Sequence, residues 1–179
     1  MNKLTGIGPL AMDKTKLKKG TLDGEVAVVT GGAGSVGLGT ARSLAWLGAK
    51  VVITDVTPET GKAAEELINS ENEPGTALFV EADVSDEASM KDMAKKAFDT
   101  FGKVDILVNN AMIMSMGAPI LKSTIHQLDR QYEIAARGTF IGIQLFVPGM
   151  MERHHGVVTY SSTAFKFPVG PSNYCAAKA

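Results

Sequence analysis

Val26-Ala27-Val28-Val29, followed by Thr30-Gly31-Gly32-Ala33-Gly34-Ser35-Val36-Gly37, organises the reading of this chain. Four apolar residues in a row, without polar alternation, suit a strand covered on both faces. The glycines that follow satisfy G-x-G-x-x-G over residues 32–37. A helical pattern then runs from about Thr40 to Leu47 and closes at Gly48, a residue suited to the left-handed position after a helix. Glycines between strand and helix permit positive φ and close main-chain approach. The helix N-terminus there offers free N–H groups and a dipole that favour an anion such as a pyrophosphate. The setting carries the weight, because 19 glycines in 179 residues make chance matches easy. A glycine turn of purely structural use is the alternative.

The same alternation continues outward. Val51-Val52-Ile53-Thr54-Asp55 reads as a second strand, and Thr57 as the cap of a helix with Pro58 at its first position. Ala77-Leu78-Phe79-Val80 is a third strand, after which Ser85-Asp86-Glu87 opens a helix. Val104-Asp105-Ile106-Leu107-Val108 is a fourth. Thr124 with Gln127 forms a capping box for a long helix through Phe146, which Pro148 should kink or end. Gly156-Val157-Val158-Thr159-Tyr160 is the fifth strand. Five strands separated by helices imply right-handed crossovers and a parallel sheet with helices on both faces. The expected class is an α/β, doubly wound fold.

Composition narrows the function. The chain is 45% hydrophobic and 21% charged, with a net charge of −1 and no basic stripe, which argues against nucleic acid as a partner. Cys175 is the single cysteine, so no internal disulfide forms and a reducing, cytoplasmic location is expected. No apolar run approaches the roughly 20 residues that span a bilayer, so no membrane role is expected. Residues 1–21 carry Lys14, Lys16, Lys18 and Lys19 after Gly6, Gly8 and Pro9, without the apolar core of a secretory signal. They read as a flexible extension ahead of a nucleotide-binding domain over residues 22–179.

Asp55 ends the second strand, 18 residues beyond Gly37. A carboxylate there can accept from both adenosine ribose hydroxyls. A 2′-phosphate would meet it with like charge, and no Arg or Lys occupies the glycine loop. NAD is therefore favoured over NADP; a solvated strand-end aspartate is the alternative. No cluster supports a metal site. His154-His155 reads as a solvated turn, and Met112, Met114 and Met116 as core filling.

Taken together, the glycine loop, Asp83-Val84 after strand three, Asn109-Asn110-Ala111 after strand four, and Tyr174-x-x-x-Lys178 preceded by serine resemble the short-chain dehydrogenase/reductase family from about Leu22 onward. The resemblance implies a Rossmann-like sheet in the order 3-2-1-4-5. It places Gly31, Gly34, Ser35, Val36, Gly37, Asp55, Asp83, Val84, Asn110 and Ala111 at the cofactor. Asp83 and Val84 would flank the adenine, and Asn110 and Ala111 would line the cleft and tie the sheet together. It further implies Ser162, Tyr174 and Lys178 as catalytic residues, with Tyr174 and Lys178 also touching the cofactor, and a small alcohol or carbonyl substrate. Self-association is left open.

The chemistry can be argued from the residues. Reducing a ketone requires hydride at carbon and a proton at oxygen. A phenol such as that of Tyr174, with an ordinary pKa of about 10, exchanges protons poorly at neutral pH. Lowering it by about three units takes roughly 4 kcal/mol of preferential phenolate stabilisation. Lys178 at i+4, assisted by a positive nicotinamide ring, supplies part of that. Ser162, or Ser161 one residue earlier, would hold the substrate oxygen.

Four departures from the family pattern stand out. Ser35 takes the place of the loop's middle glycine, and Met112 that of the glycine after Asn-Asn-Ala. Ala135 stands where the family has an asparagine that holds a relay water. The sequence stops one residue after Lys178, so the C-terminal strands are expected to be missing and the fifth strand to lack a neighbour. The leading expectation is an NAD-dependent oxidoreductase interconverting an alcohol and a ketone or aldehyde. The alternatives are an impaired dinucleotide-binding domain and an interaction module using the sheet edge and basic arm.

Overall fold

Strand β1 (Val26–Thr30) is buried at every position, because both of its faces are covered. Val26 and Val28 point into one apolar layer with Val52, Val80 and Leu107, while Ala27 and Val29 point into the opposite layer with Val51 and Ile53. In this computed structural model the described residues are 16–113, 120–161 and 176–177, together with Gly8 and Leu10. Around β1 lie β2 (Lys50–Asp55), β3 (Ala77–Glu81), β4 (Ile106–Asn109) and β5 (Val157–Tyr160). All neighbours pair in parallel, in the order β3-β2-β1-β4-β5. The doubly wound expectation holds, with the order the resemblance implied.

Helices α1 (Ser35–Trp46) and α2 (Pro58–Glu71) cover one face; α3 (Glu87–Phe101) and α5 (Gly138–Glu152) cover the other. Each fully buried Val, Ile or Leu along the strands contributes about 1.5–3 kcal/mol, so both layers are needed to hold the sheet. β5 is exposed at all four positions, including Val157 and Tyr160.

Local signals explain most element ends. Asp86 accepts from the N–H groups of Ala88 (2.8 Å) and Ser89 (3.2 Å) and starts α3, which Gly102 ends at φ +78°. The Thr124–Gln127 capping box opens α4 (Ile125–Tyr132). Thr57 occupies the position expected of it, yet its side chain makes no capping bond; its carbonyl accepts from Gly61 instead. α1 begins five residues before the expected Thr40, since the glycine-rich first turn carries no apolar period.

The long helix differs from expectation in two ways. Between α4 and α5 the backbone widens into a π-helical turn (Glu133–Arg137), which no local motif announces. Pro148 does not end the helix, which runs on to Glu152. The carbonyl that Pro148 cannot pair belongs to Gln144, an exposed residue, where its loss costs least. Phe146 and Met150 stay anchored in the core on either side of the proline. This 28-residue rod is also long and apolar enough to cross a bilayer, against the expectation that no run approaches that length. Its inner face, with Ile134, Ile141, Phe146 and Met150, is spent on the sheet and α3, as in a core helix.

Candidate functional site

The carboxyl ends of the strands open into a cleft of about 440 Å³. In an open parallel sheet, the crevice where the strand order reverses is the expected ligand position; here that is the gap between β1 and β4. Every cofactor-side residue named from the sequence that is described in the structure lines this one cleft. Gly31, Gly34, Ser35, Val36 and Gly37 form one wall, Asp55, Asp83 and Val84 another, and Asn110 and Ala111 the floor. The catalytic candidates Ser162, Tyr174 and Lys178 lie outside the described residues, as do Met114, Met116 and Cys175. Ser161 is described and lines the cleft, its N–H donating to the Asn109 carbonyl at 3.0 Å.

The glycine loop is shaped by its neighbours. Asn110 Nδ2 donates to the carbonyls of Thr30 (3.0 Å) and Gly31 (3.2 Å). The Thr30 hydroxyl in return accepts from the N–H groups of Asn110 and Ala111, both at 3.0 Å. This packing leaves no room for side chains. A Cβ on Gly31, at φ +62°, would lie 2.9 Å from Ala111 Cα, and one on Gly37 would lie 2.1 Å from the Gly31 carbonyl oxygen. Gly32, though part of the motif, is a packing glycine. It is absent from the cleft wall, and a Cβ there would strike Ile53. The loop thus delivers the first turn of α1, which carries no acidic side chain, to the cleft.

Asp55 braces the loop from the other side. Its Oδ2 accepts from the Ala33 N–H at 3.3 Å and its Oδ1 from the Val56 N–H at 2.9 Å. Its neighbour Thr54 accepts from the Gly32 N–H through its carbonyl at 3.1 Å. The carboxylate that could meet a ribose is therefore held in place before any ligand arrives.

Arg130, Ile134 and Ile113 also line the cleft, and sequence reasoning missed them as site residues. Met112 is half-buried in the cleft wall and not a core filler. Arg130 donates to Asp83 Oδ2 (3.0 Å), Ser85 Oγ (2.7 Å) and Glu133 Oε2 (3.1 Å). Only the Glu133 pair, at i+3, was visible as a spacing. Asp83 Oδ1 meanwhile accepts from the Ser85 hydroxyl (2.6 Å) and N–H (2.9 Å). Burial works to raise the Asp83 carboxyl, but the hydrogen bonds from Ser85 and Arg130 outweigh it and hold the group below the usual carboxylate range.

Ala135 is buried in the π-helical turn, and its carbonyl accepts from the Thr139 hydroxyl at 2.6 Å. Tyr132, at the end of α4, donates its phenol to the carbonyl of Ala176, which falls between Tyr174 and Lys178 in sequence (3.2 Å).

A second cluster lies at the opposite, amino end of the sheet. His155 Nε2 is 2.9 Å from Glu25 Oε2, so this histidine is paired across the fold and is not merely solvated in its turn. Asp105 joins them, but it accepts from the Val26 N–H (3.1 Å), Lys103 (2.9 Å) and Arg153 (3.2 Å). Two cations already satisfy that carboxylate, so the cluster reads as an ion-pair network that ties α5 and β4 to β1.

Comparison with known proteins agrees with this geometry. The sequence pattern of the short chain dehydrogenase family matches residues 25–179. An uncharacterized oxidoreductase of Thermotoga maritima is 35% identical over 159 residues, which are 88% of this chain and 61% of that protein. The crystal structure of a metagenomic short-chain oxidoreductase in complex with NADP superposes with a TM-score of 0.80 at 31% identity, covering 88% of this chain and 72% of the other. That of NAD+-bound xylitol dehydrogenase gives 0.81 at 26% identity, covering 88% and 60%. The chain thus spans about three fifths of the length of the curated relative it matches. With the β3-β2-β1-β4-β5 sheet, the glycine loop locked by Asn110 and the family pattern running through residue 179, the chain belongs to the short-chain dehydrogenase/reductase family.

Proposed function

We propose that this chain is the cofactor-binding part of an NAD-dependent oxidoreductase that interconverts an alcohol and a ketone or aldehyde. One observation carries the reading: the glycine loop, Asp55, Asp83 and Asn110 converge on a single cleft at the carboxyl ends of the strands. The donor set fits a dinucleotide. Main-chain amides at the start of α1 suit a pyrophosphate, Asp55 suits two ribose hydroxyls, and Asp83 with Val84 suits the edge of an adenine. A bound nicotinamide supplies the hydride acceptor or donor.

The chain's own residues do the rest. Asn110 holds the loop, and Asp55 orients the ribose. Tyr174 gives or takes the proton at the substrate oxygen, Lys178 favours its phenolate, and Ser162 anchors the substrate. The Asp55 carboxylate disfavours a 2′-phosphate, which supports NAD; among similar structures one holds NAD+ and another NADP. The single cysteine supports a cytosolic setting, with residues 1–21 as an arm ahead of the nucleotide domain.

Calorimetric titration with NAD and NADP, followed by turnover with a panel of secondary alcohols, tests the proposal. Tighter NAD binding with NADH formation supports it, and no heat from either cofactor refutes it. Ala135, in place of the family asparagine, favours a second reading as an impaired dinucleotide-binding domain. NAD binding without NADH formation would select that reading.

A further inference from the structure

Arg130 is set where three acceptors converge, one of them a carboxylate in the cleft wall. Its Nη1 donates to both Ser85 Oγ and Glu133 Oε2, and its Nη2 donates to Asp83 Oδ2. Glu133 belongs to the π-helical turn and Ser85 to the loop after β3, so the guanidinium bridges two segments 45 residues apart. A planar fork with donors in fixed directions suits this task better than an ammonium. On the other side of Asp83, Ser85 donates twice to Oδ1. The Asp83 N–H itself donates to Ser89 Oγ at 3.1 Å. A carboxylate has about four lone-pair directions, and three here take donors from the described residues. Among the described residues no donor takes the remaining direction on Oδ2, which is left for one arriving in the cleft.

We propose that Arg130 is a positioning residue for base recognition, holding Asp83 so that its remaining lone pair accepts the exocyclic amino group of an adenine. The inference rests on the dinucleotide reading above and deepens it. A fixed acceptor rewards a base that carries an amino group at that edge and opposes one that carries a carbonyl oxygen, because two lone pairs would face each other. A carboxylate free to rotate could turn away from the carbonyl, so discrimination depends on the clamp as well as on Asp83. The low proton affinity of the Asp83 carboxyl, held charged by Ser85 and Arg130, suits a permanent acceptor.

The test compares NAD with nicotinamide hypoxanthine dinucleotide, whose base bears an oxygen for the amino group and a hydrogen on the adjacent N1. Dissociation constants are measured calorimetrically for the wild-type chain, Arg130→Met and Glu133→Gln. Wild type should favour NAD by about tenfold or more, as expected where a built acceptor meets the wrong partner. Arg130→Met should shrink that ratio about fivefold or more, and Glu133→Gln, which removes the charged acceptor from one donor of the clamp, should shrink it less. Glu133→Gln keeps the charge of Arg130 and its bonds to Asp83 and Ser85, so it serves should Arg130→Met fail to fold. An unchanged ratio in both variants, with NAD still bound by wild type, overturns the role of Arg130 and leaves the dinucleotide reading standing. Failure of wild type to bind either dinucleotide overturns both.

Discussion

Asn110 Nδ2 donates to the Gly31 carbonyl across 3.2 Å, joining two loops 79 residues apart in sequence at the floor of the cleft. The same nitrogen would lie 2.6 Å from a Cβ on Gly37, so one amide both braces the glycine loop and forbids a side chain beside it. Asn110→Ala should cost about 1–3 kcal/mol of stability, because the carbonyls of Thr30 and Gly31 lose their donor. Chemical denaturation of the two proteins measures it.

Gly37→Ala and Gly34→Ala separate packing from ligand contact. The first forces a Cβ against the Gly31 carbonyl and should lower stability by about 1–3 kcal/mol even without ligand. A Cβ added at Gly34 would meet nothing within 4 Å and φ is −105°, so alanine should cost less than about 1 kcal/mol, mostly as a poorer helix cap. Any larger loss of NAD affinity in Gly34→Ala would then report on close approach of the ligand itself. Thermal melts with and without NAD distinguish the two.

Asp55→Asn should weaken discrimination between the two cofactors. Removing the negative charge relieves repulsion of a 2′-phosphate, and the NAD-to-NADP preference should fall by about tenfold. Titration of both cofactors against both proteins gives the ratio. An unaltered ratio would remove Asp55 from ribose recognition.

Asp105 gives the fold a pH dependence independent of the cleft. Burial works to raise its carboxyl, but Lys103, the Val26 N–H and Arg153 together hold it below the usual carboxylate range. A folded-state pKa below the unfolded one adds stability at every pH above the unfolded value of about 4, and that stability is lost as pH falls through the folded value. Asp105→Asn should therefore be less stable than wild type by about 2–4 kcal/mol at neutral pH. The gap should narrow only below about pH 4. Urea melts across that range check both the size and the direction.

On the proposed dehydrogenase reading, Ala135→Asn should raise turnover, since the amide supplies a group able to hold a relay water next to the π-helical turn. Steady-state rates with a secondary alcohol test this; equal rates would show that proton exchange does not limit the reaction.

Much of this protein was legible along the chain, because the signals involved are local. Apolar runs near Val28 and Ile53, the helix starts at Asp86 and Thr124, the turn at Gly48 and the glycine loop each depend on neighbours a few residues away, and so they locate five strands and most helix ends. Asp55 could be expected at the cleft because a strand end sets where its side chain emerges. Tertiary structure alone decided the rest. The Arg130–Asp83 clamp, the Asn110 latch, the His155–Glu25 pair and the place of Met112 in the cleft wall join segments tens of residues apart or depend on how loops meet. The crossovers, and not any spacing in the sequence, bring them together. Pro148 and the π-helical turn belong to the same class: a helix that buries Phe146 and Met150 gains more from the core than it loses with the one N–H that a proline lacks.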